Sequence, residues 1–270
     1  TTLANKYGFK ISTTDTEKIF FDKKSDVIFI ASRHDSHAEF VIKSIENKKI
    51  VFVEKPLCLT REELNNIKNV YFDANKKGLN PFLMVGFNRR FSPQIIKIKE
   101  LLGSSVKDIV VNFYINAGEL SQSHWVNDND IGGGRVLSET CHFIDLIKFI
   151  TNSKVISWNK FSLRNKLEDT LIISMKMENG SIGTIHYLSN GHKSFPKERI
   201  EIFSHGKIIQ LIDFRKLKGY GWKKFKSLDL IRKDKGHLNC LKTFFDSIYS
   251  NLDSPISIED ILDTTELSLE

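Results

Sequence analysis

The stretch that decides the fold is DVIFIASRHDSHAEFVIKSIENKKIVFVEKPL, residues 26–57. Within it, DVIFIA (26–31) is a continuous apolar run of strand length, and IVFV (50–53) is a second one. Between these runs, apolar residues recur at helical spacing in SHAEFVIKSIENKK (36–49), at Ala38, Val41, Ile42 and Ile45. A helix between two strands that are apolar on both faces predicts a parallel sheet covered by helices.

The same alternation continues to about residue 100. TREE (60–63) predicts a helix that begins with a capping box between Thr60 and Glu63, and Gly78 predicts its end. FLMVGF (82–87) then follows as a third buried strand. For residues 1–102 we therefore predict an α/β fold with a Rossmann-like, doubly wound parallel sheet.

From about residue 107 apolar and polar residues alternate. A period of two is typical of strands with one buried face, and Asn179-Gly180 and His205-Gly206 predict hairpin turns between them. For residues 103–270 we predict an α+β domain with a large, mostly antiparallel open sheet. Its predicted strands are 107–118, 155–163, 169–177, 181–189, 199–204 and 207–214, and its predicted helices are 133–150, 236–250 and 258–268.

Composition excludes several classes of protein. No apolar run approaches the ~18 to 20 residues that cross a bilayer, and the first residues lack the apolar core of a signal peptide. Cys58, Cys141 and Cys240 show no CxxC spacing, so neither a disulfide framework nor a zinc site is supported. We predict a cytoplasmic protein with no membrane partner and no metal.

The net charge of +7 includes one basic stretch, residues 216–237, in which Tyr220, Trp222 and Phe225 alternate with lysines. This pattern fits either a nucleic-acid face or a solvated loop with a few aromatic contacts. No helix-turn-helix, RNP or zinc-finger motif accompanies it, so we predict no nucleic-acid partner. A basic surface also suits an anionic sugar substrate.

Three polar segments follow the three predicted parallel strands: SRHDSH (32–37), EKP (54–56) and NRRF (88–91). Ligands of doubly wound sheets bind at the carboxyl ends of the strands, so these segments predict a binding site. For SRHDSH the alternative is a helix cap, and for the arginines of NRRF it is a set of surface charges instead of phosphate contacts.

Lys55 is the first candidate for chemistry. A lysine at the end of a buried strand is partly removed from water, which favours the neutral amine that proton transfer requires. Pro56 restricts Lys55 to an extended conformation and so fixes the direction of its side chain. The alternative is an ordinary strand end with two solvated charges, Glu54 and Lys55.

His142 is the second candidate. It lies in the predicted helix 133–150 with Glu139 and Asp145 close by, so it fits a general acid and base that a carboxylate orients. The alternative is an interior histidine that has Asp145 as its partner. Before this helix, HWVNDND (124–130) offers polar and aromatic groups that suit a sugar-like ligand or a surface loop.

Four strings, IFIASRHDSHAEF, VFVEKPL, GFNRRFSP and GGGRVLSETCHFIDL, occur in one order and at a characteristic spacing. Together they resemble the glucose-fructose oxidoreductase and inositol dehydrogenase family (Gfo/Idh/MocA). The resemblance implies an enzyme that uses NAD or NADP and transfers hydride to or from a CH–OH carbon of a sugar, cyclitol or sugar derivative. The C-terminal part resembles the branch fused to a zinc-dehydrogenase-like region, which implies polysaccharide or nucleotide-sugar biosynthesis.

The resemblance and the local patterns together give three groups of expected site residues. Expected catalytic residues are Lys55, His142 and Glu139. Expected cofactor-binding residues are Ser32, His34, His37, Glu54, Lys55, Pro56 and Arg90. Expected substrate-binding residues are Lys55, Asn88, Trp125, Ser138 and His142. Pro56 matches a proline that a cis peptide often precedes.

The sequence departs from the family pattern at one catalytic position. The family commonly has an aspartate four residues before the histidine, and here that position is Ser138, with Glu139 beside it. Either Glu139 replaces the lost carboxylate, or the proton relay differs.

The N-terminus suggests a second departure. TTLANKYGF resembles the helix after the family's second strand, and the chain contains no G-x-G-x-x-G. We therefore expect a partial dinucleotide-binding domain that lacks its first β-α-β unit, a fragment that binds the cofactor poorly. We also expect a homo-oligomer through the open sheet. The competing function is a non-catalytic sugar-binding or assembly module with the same fold.

Overall fold

The computed structural model describes residues 2–164 and 169–270. The N-terminal part contains a parallel sheet of three strands in the order β1-β2-β3, as predicted. Its elements are α1 (Thr2–Tyr7), α2 (Glu17–Phe20), β1 (Val27–Ile30), α3 (His37–Glu46), β2 (Ile50–Val53), α4 (Arg61–Lys76), β3 (Leu83–Val85) and α5 (Pro93–Leu102).

Local sequence explains how α4 is bounded. The Thr60 hydroxyl accepts from the backbone N–H of Glu63, and the Glu63 side chain accepts from the backbone N–H of Thr60. This reciprocal pair is the predicted capping box. After the helix, Gly78 adopts φ of +74°, a backbone conformation that glycine reaches without strain.

The second sheet has eight strands in the order β11-β10-β9-β8-β4-β7-β6-β5. Every neighbouring pair is antiparallel except β4 and β7, which run parallel, so the mostly antiparallel prediction is confirmed. The elements of this part are β4 (Val110–Asn116), α6 (Arg135–Thr151), β5 (Val155–Ser162), β6 (Leu171–Met177), β7 (Ile182–Leu188), β8 (Glu198–Ser204), β9 (Lys207–Ile212), β10 (Lys216–Tyr220), β11 (Ser227–Asp229), α7 (His237–Tyr249) and α8 (Ile258–Ser268).

The basic stretch 216–237 corrects one expectation. It forms β10 and β11, which pair from Lys216 opposite Asp229 to Lys218 opposite Ser227, instead of a solvated loop. Phe225 is buried and Trp222 is half-buried in the apolar core under this sheet. Two of the aromatic residues that were candidates for contact with nucleic acid, Trp222 and Phe225, therefore pack in this core.

Helix α6 lies between two apolar cores. Cys141 packs in the core of the parallel sheet, whereas Phe143 and Ile147 pack in the core of the second sheet. The first core also includes Phe244 of α7 and Ile261 of α8, so the chain returns to the parallel sheet at its end. The boundary between residues 102 and 103 stays a prediction.

Within the two described ranges, no helix is both long enough and apolar enough to span a lipid bilayer.

Candidate functional site

The three parallel strands end side by side. Ile30 lies opposite Val53, and Val53 lies opposite Val85, so the last residues of β1, β2 and β3 form one row. The segments that follow these residues therefore start at the same edge of the sheet. This register brings together the segments that begin at Ala31, Glu54 and Gly86, as the sequence predicts.

Lys55 spans the gap between this edge and α6. Its Nζ donates a hydrogen bond of 2.8 Å to the backbone carbonyl of Ser138. Ser138 precedes His142 by about one helical turn, or ~6 Å along the axis, so the ammonium group lies on the helix turn that leads to His142. The peptide bond between Lys55 and Pro56 is cis, as the resemblance implies.

His142 is buried, and its Nδ1 has no hydrogen-bond partner within the described residues. Burial lowers the pKa of the imidazole well below its ordinary value of 6.5, and the positive charges of Arg89 and Lys55 lower it further. The ring is therefore neutral at physiological pH. A neutral imidazole with an unpaired nitrogen is suited to accept a proton.

The carboxylates near His142 have other partners. Asp145 Oδ1 lies 2.6 Å from Arg90 Nη2, and the His142 Nδ1 is unpaired in the part of the chain that the structure describes, so the alternative in which Asp145 is the partner of His142 is wrong. Glu139 lies 3.4 Å from Arg135 and 3.9 Å from Lys197. These contacts engage both carboxylate oxygens of Glu139, and its catalytic role stays a prediction.

Arg90, an expected cofactor-binding residue, has partners inside the protein. Its guanidinium is buried and binds both Asp145 and Asp260, and it lies 5.1 Å from the centroid of the Phe149 ring. A buried guanidinium with two carboxylate partners holds α6 and α8 to the segment after β3. Arg90 is therefore an interior ion pair and does not face an open cofactor surface.

The loop after β1 divides into exposed and buried side chains. Ser32 is exposed and shares a hydrogen bond of 2.6 Å with Ser36. His37 is fully buried, and its ring nitrogens lie 2.7 Å from the carbonyl of Pro56 and 3.2 Å from that of Ser32. His37 thus links the loops after β1 and β2, and its contact with the cofactor stays a prediction.

His34 and Trp125 form one wall of the site. The His34 Nδ1 donates to the carbonyl of Gly132 at 2.9 Å, and its ring lies 4.9 Å from that of Trp125. Burial lowers the pKa of His34, and the hydrogen bond to Gly132 opposes this shift. Trp125 is half-buried, with Arg33 5.6 Å from its ring centroid and the His124 ring stacked at 6.0 Å.

Three other expected residues differ in what they offer to a ligand. The half-buried Glu54 carboxylate lies against Gly86, where an added Cβ would be 3.1 Å from Glu54 Oε2. Asn88 is buried and donates from Nδ2 to the carbonyl of Lys235 at 2.7 Å. Ser138 is buried and its hydroxyl donates to the carbonyl of Arg135, so Ser138 acts through its backbone carbonyl.

Sequence patterns missed one part of the site. Arg89 and Glu198, both buried, form a cluster with the half-buried Lys235, and Arg89 and Lys235 both lower the pKa of His142. Glu198 begins β8, and Lys235 and His237 precede or begin α7. No local pattern links positions so far apart in the chain, and only NRRF had indicated Arg89 as a candidate.

Among residues 2–164 and 169–270, no group of three or more His, Cys, Asp or Glu side chains is placed to hold a metal ion.

Comparison with known proteins relates this arrangement to a family. Residues 1–87 match the family GFO_IDH_MocA, described as "Oxidoreductase family, NAD-binding Rossmann fold". The chain is 24% identical to Myo-inositol 2-dehydrogenase of Thermotoga maritima, over 96% of this chain and 80% of that protein. It is 28% identical to Levoglucosan dehydrogenase of Pseudarthrobacter phenanthrenivorans, over 67% of this chain and 46% of that protein.

Solved structures agree on the fold. The structure of Levoglucosan dehydrogenase in complex with NADH and levoglucosan superposes with a TM-score of 0.83 at 20% identity, covering 98% of this chain and 82% of that one. An oxidoreductase domain protein from Kribbella flavida superposes with a TM-score of 0.82, also at 20% identity, covering 99% and 82%. At these identities the likeness shows the fold.

Proposed function

We propose that the chain is an oxidoreductase of the Gfo/Idh/MocA family, whose NAD-binding Rossmann fold residues 1–87 match, and that it oxidises or reduces a sugar or cyclitol. The reaction moves a hydride between a CH–OH carbon and NAD or NADP, and the hydroxyl proton is lost to the protein. Supporting this substrate class, two relatives are named for myo-inositol and levoglucosan.

One observation carries the proposal. Lys55, at the carboxyl end of β2, donates to the carbonyl of Ser138, one turn before the unpaired Nδ1 of His142. A proton donor and a proton acceptor therefore lie on the two sides of the gap between the parallel sheet and α6.

We assign the role of general base in the oxidation to His142. Because burial and neighbouring cations lower its pKa well below 6.5, the imidazole is ready to accept the hydroxyl proton at neutral pH. Lys55 orients the same hydroxyl by a charge-assisted hydrogen bond. As the proton leaves oxygen, the C–H bond breaks with its electron pair, so a carbonyl forms and charge balances.

The residues fit the nicotinamide end of the cofactor. Ser32 is exposed after β1, and Glu54 and Lys55 are half-buried after β2, where ligands of such sheets bind. The unpaired ring nitrogen of His142 leaves a polar position for the reacting hydroxyl. When bound, NAD or NADP supplies the hydride acceptor; Ser32, Glu54 and Lys55 would hold its ribose and ring.

We also propose that the protein is a cytoplasmic homo-oligomer. The outer side of the second sheet leaves Ile172, Ile182 and Phe203 exposed, which supports a contact between sheets of two copies. The free cysteines, all of them buried, are consistent with a reducing compartment.

The test is steady-state reduction of NAD and of NADP with a panel of cyclitols and sugars, using Lys55→Met. We expect the substitution to lower kcat by about 10²-fold or more, because it removes the donor that orients the hydroxyl, while the thermal midpoint stays close to the wild type. Lys76→Met is the matched control, because the Lys76 side chain lies on the exposed face of α4.

Undiminished turnover in Lys55→Met would refute the assignment of Lys55. A wild-type protein that binds sugar but shows neither turnover nor saturable nicotinamide binding would instead support a non-catalytic binding or assembly module.

A further inference from the structure

A cluster of three charged side chains lies near His142, and two of its members lower the pKa of the imidazole. Arg89 binds Glu198 through two hydrogen bonds, from Nε to Oε2 and from NH2 to Oε1, both 3.1 Å long. Lys235 binds the same Glu198 through Oε1. We call Arg89, Glu198 and Lys235 the cation cluster.

The backbone fixes where Lys235 stands. Gly236 adopts φ of +82°, and an added Cβ there would lie 2.5 Å from the carbonyl oxygen of Asn88. The Lys235 carbonyl also accepts the Asn88 side chain. The loop before α7 is therefore packed directly on the segment that follows β3, so Lys235 is held at the site and is not a surface lysine that happens to reach it.

Charge within the cluster is unbalanced. Burial raises the pKa of Glu198, but Arg89 and Lys235 outweigh this effect and hold it at about 2, so Glu198 carries a single negative charge at neutral pH. That one charge faces two cations. Burial lowers the pKa of Lys235, Glu198 opposes this shift, and the like charges of Arg89 and Lys197 add to it.

The exposed fraction of the side chain increases from Glu198 to Arg89 to Lys235. The side chain of Glu198 is 1% exposed, that of Arg89 is 9% exposed and that of Lys235 is 27% exposed. Arg89 already occupies both oxygens of Glu198. Because an ammonium has three N–H donors and Glu198 takes one, Lys235 retains donors on the accessible side of the cluster.

The lysine and arginine side chains that most affect His142 are all cations: Arg89, Lys55 and Lys235. A neutral polyol carries no negative charge to compensate these cations. Charge-assisted hydrogen bonds from Lys235 to an oxyanion would compensate them, and Glu198 already fixes the lysine in place.

We propose that the cation cluster binds an anionic group of the substrate through Lys235, so the preferred substrate is a sugar that carries a carboxylate or a phosphate. This inference rests on the proposed function and specifies its substrate class. The oxyanion sits beside Lys235, and the reacting hydroxyl lies between Lys55 and His142.

The test measures binding by isothermal titration calorimetry of D-glucuronate, D-glucose and D-glucose 6-phosphate to the protein. Glucuronate and glucose differ only in a carboxylate against a hydroxymethyl group. The same titrations use Lys235→Met, Lys235→Arg and, as a matched control in the same loop, Lys233→Met. Lys233 is exposed and pairs with Asp213, which contacts the backbone of Glu198 and not its carboxylate.

We expect wild-type protein and Lys233→Met to bind at least one anionic sugar about tenfold or more tightly than glucose, which is the gain typical of a charge-assisted hydrogen bond. Lys235→Met removes most of that preference, and Lys235→Arg retains it because the charge remains. The stronger of the two anionic sugars identifies the oxyanion as a carboxylate or a phosphate ester.

Equal affinity for all three sugars, no binding of any of them, or a preference that survives in Lys235→Met would overturn the inference. NAD reduction measured on the same samples separates it from the proposed function. Turnover of glucose without a preference for anionic sugars would contradict only the inference that the cation cluster binds an anionic group. Glucuronate binding without turnover by any sugar would contradict only the enzyme assignment.

Discussion

At the scale of the single residue, the state of His142 depends on side chains from several parts of the chain. Lys55 follows β2, Arg89 follows β3, and Lys235 and His237 lie in or just after the loop before α7. The lysine and arginine side chains place positive charge near a buried ring, so protonation of His142 is costly in the folded protein. The same ring is solvated in the unfolded chain, where its pKa is ordinary.

This difference predicts how stability depends on pH. Because the folded pKa of His142 is depressed, the unfolded chain takes up a proton as pH falls below 6.5 and the folded protein does not. The contribution of His142 is therefore complete above pH 6.5 and is lost as pH falls. We expect His142→Asn to make the free energy of unfolding, measured in urea from pH 7.5 to 5, less steep in pH.

His192→Asn is the matched control for this experiment, since His192 is exposed in the loop before β8. The control variant should show the same slope of the free energy of unfolding against pH as the wild type. Identical slopes for wild type and His142→Asn would show that His142 titrates alike in both states, contrary to its buried surroundings.

Site residues near a strand end or a motif could be predicted from sequence, and the others could not. Lys55 and His142 were found because a strand end and a helical stripe mark them locally. Glu198 and Lys235 reach the site only through the register of β8 and the packing of the loop before α7. Sequence also gave no way to see that Arg90 has buried carboxylate partners, because Asp145 and Asp260 are distant in the chain.

At the scale of the element, Arg90 ties the segment after β3 to α6 and α8. Replacing one partner of a buried ion pair leaves the other charge without compensation. We expect Arg90→Met to lower the free energy of unfolding by about 3–5 kcal/mol in urea titrations, because Asp145 is fully buried. In the folded fraction, the KM for NAD should stay near that of the wild type.

Arg61→Met is the control, since Arg61 also binds two carboxylates, Glu266 and Glu270, but is half exposed. Exposed ion pairs contribute little, so this change should cost no more than about 1 kcal/mol. A stability loss for Arg90→Met as small as that for Arg61→Met, with a raised KM for NAD, would restore Arg90 as a cofactor residue.

Helices and strands followed the sequence where their signals are local. The capping box at Thr60 and the turn at Gly180 needed only a few neighbouring residues, and both are present. β10 and β11 were missed because the stretch is rich in charged residues, above all lysine, which obscure its short alternation of apolar and polar residues. The parallel pairing of β4 with β7 was missed because local residue patterns do not show which distant strand lies next to β4 in the sheet.

At the scale of the whole molecule, α6 joins the two cores. It gives Cys141 to one core and Ile147 to the other, and between them it carries His142 to the edge where the parallel strands end. The site therefore exists only when both sheets are folded and in contact. Sequence could predict each sheet, but the placement of the edge against α6 follows from packing.

The central claim is that hydride leaves a substrate carbon while His142 takes the hydroxyl proton and Lys55 orients that hydroxyl. Its most direct test is mass spectrometry of the cofactor after incubation with NAD and D-glucose or D-glucuronate deuterated at every carbon. The account predicts deuterium in the NADH formed by wild type and Lys76→Met, and about 10²-fold or more slower transfer in His142→Asn and Lys55→Met. Deuterium transfer at the wild-type rate in His142→Asn or Lys55→Met, or none in the wild type, would contradict it.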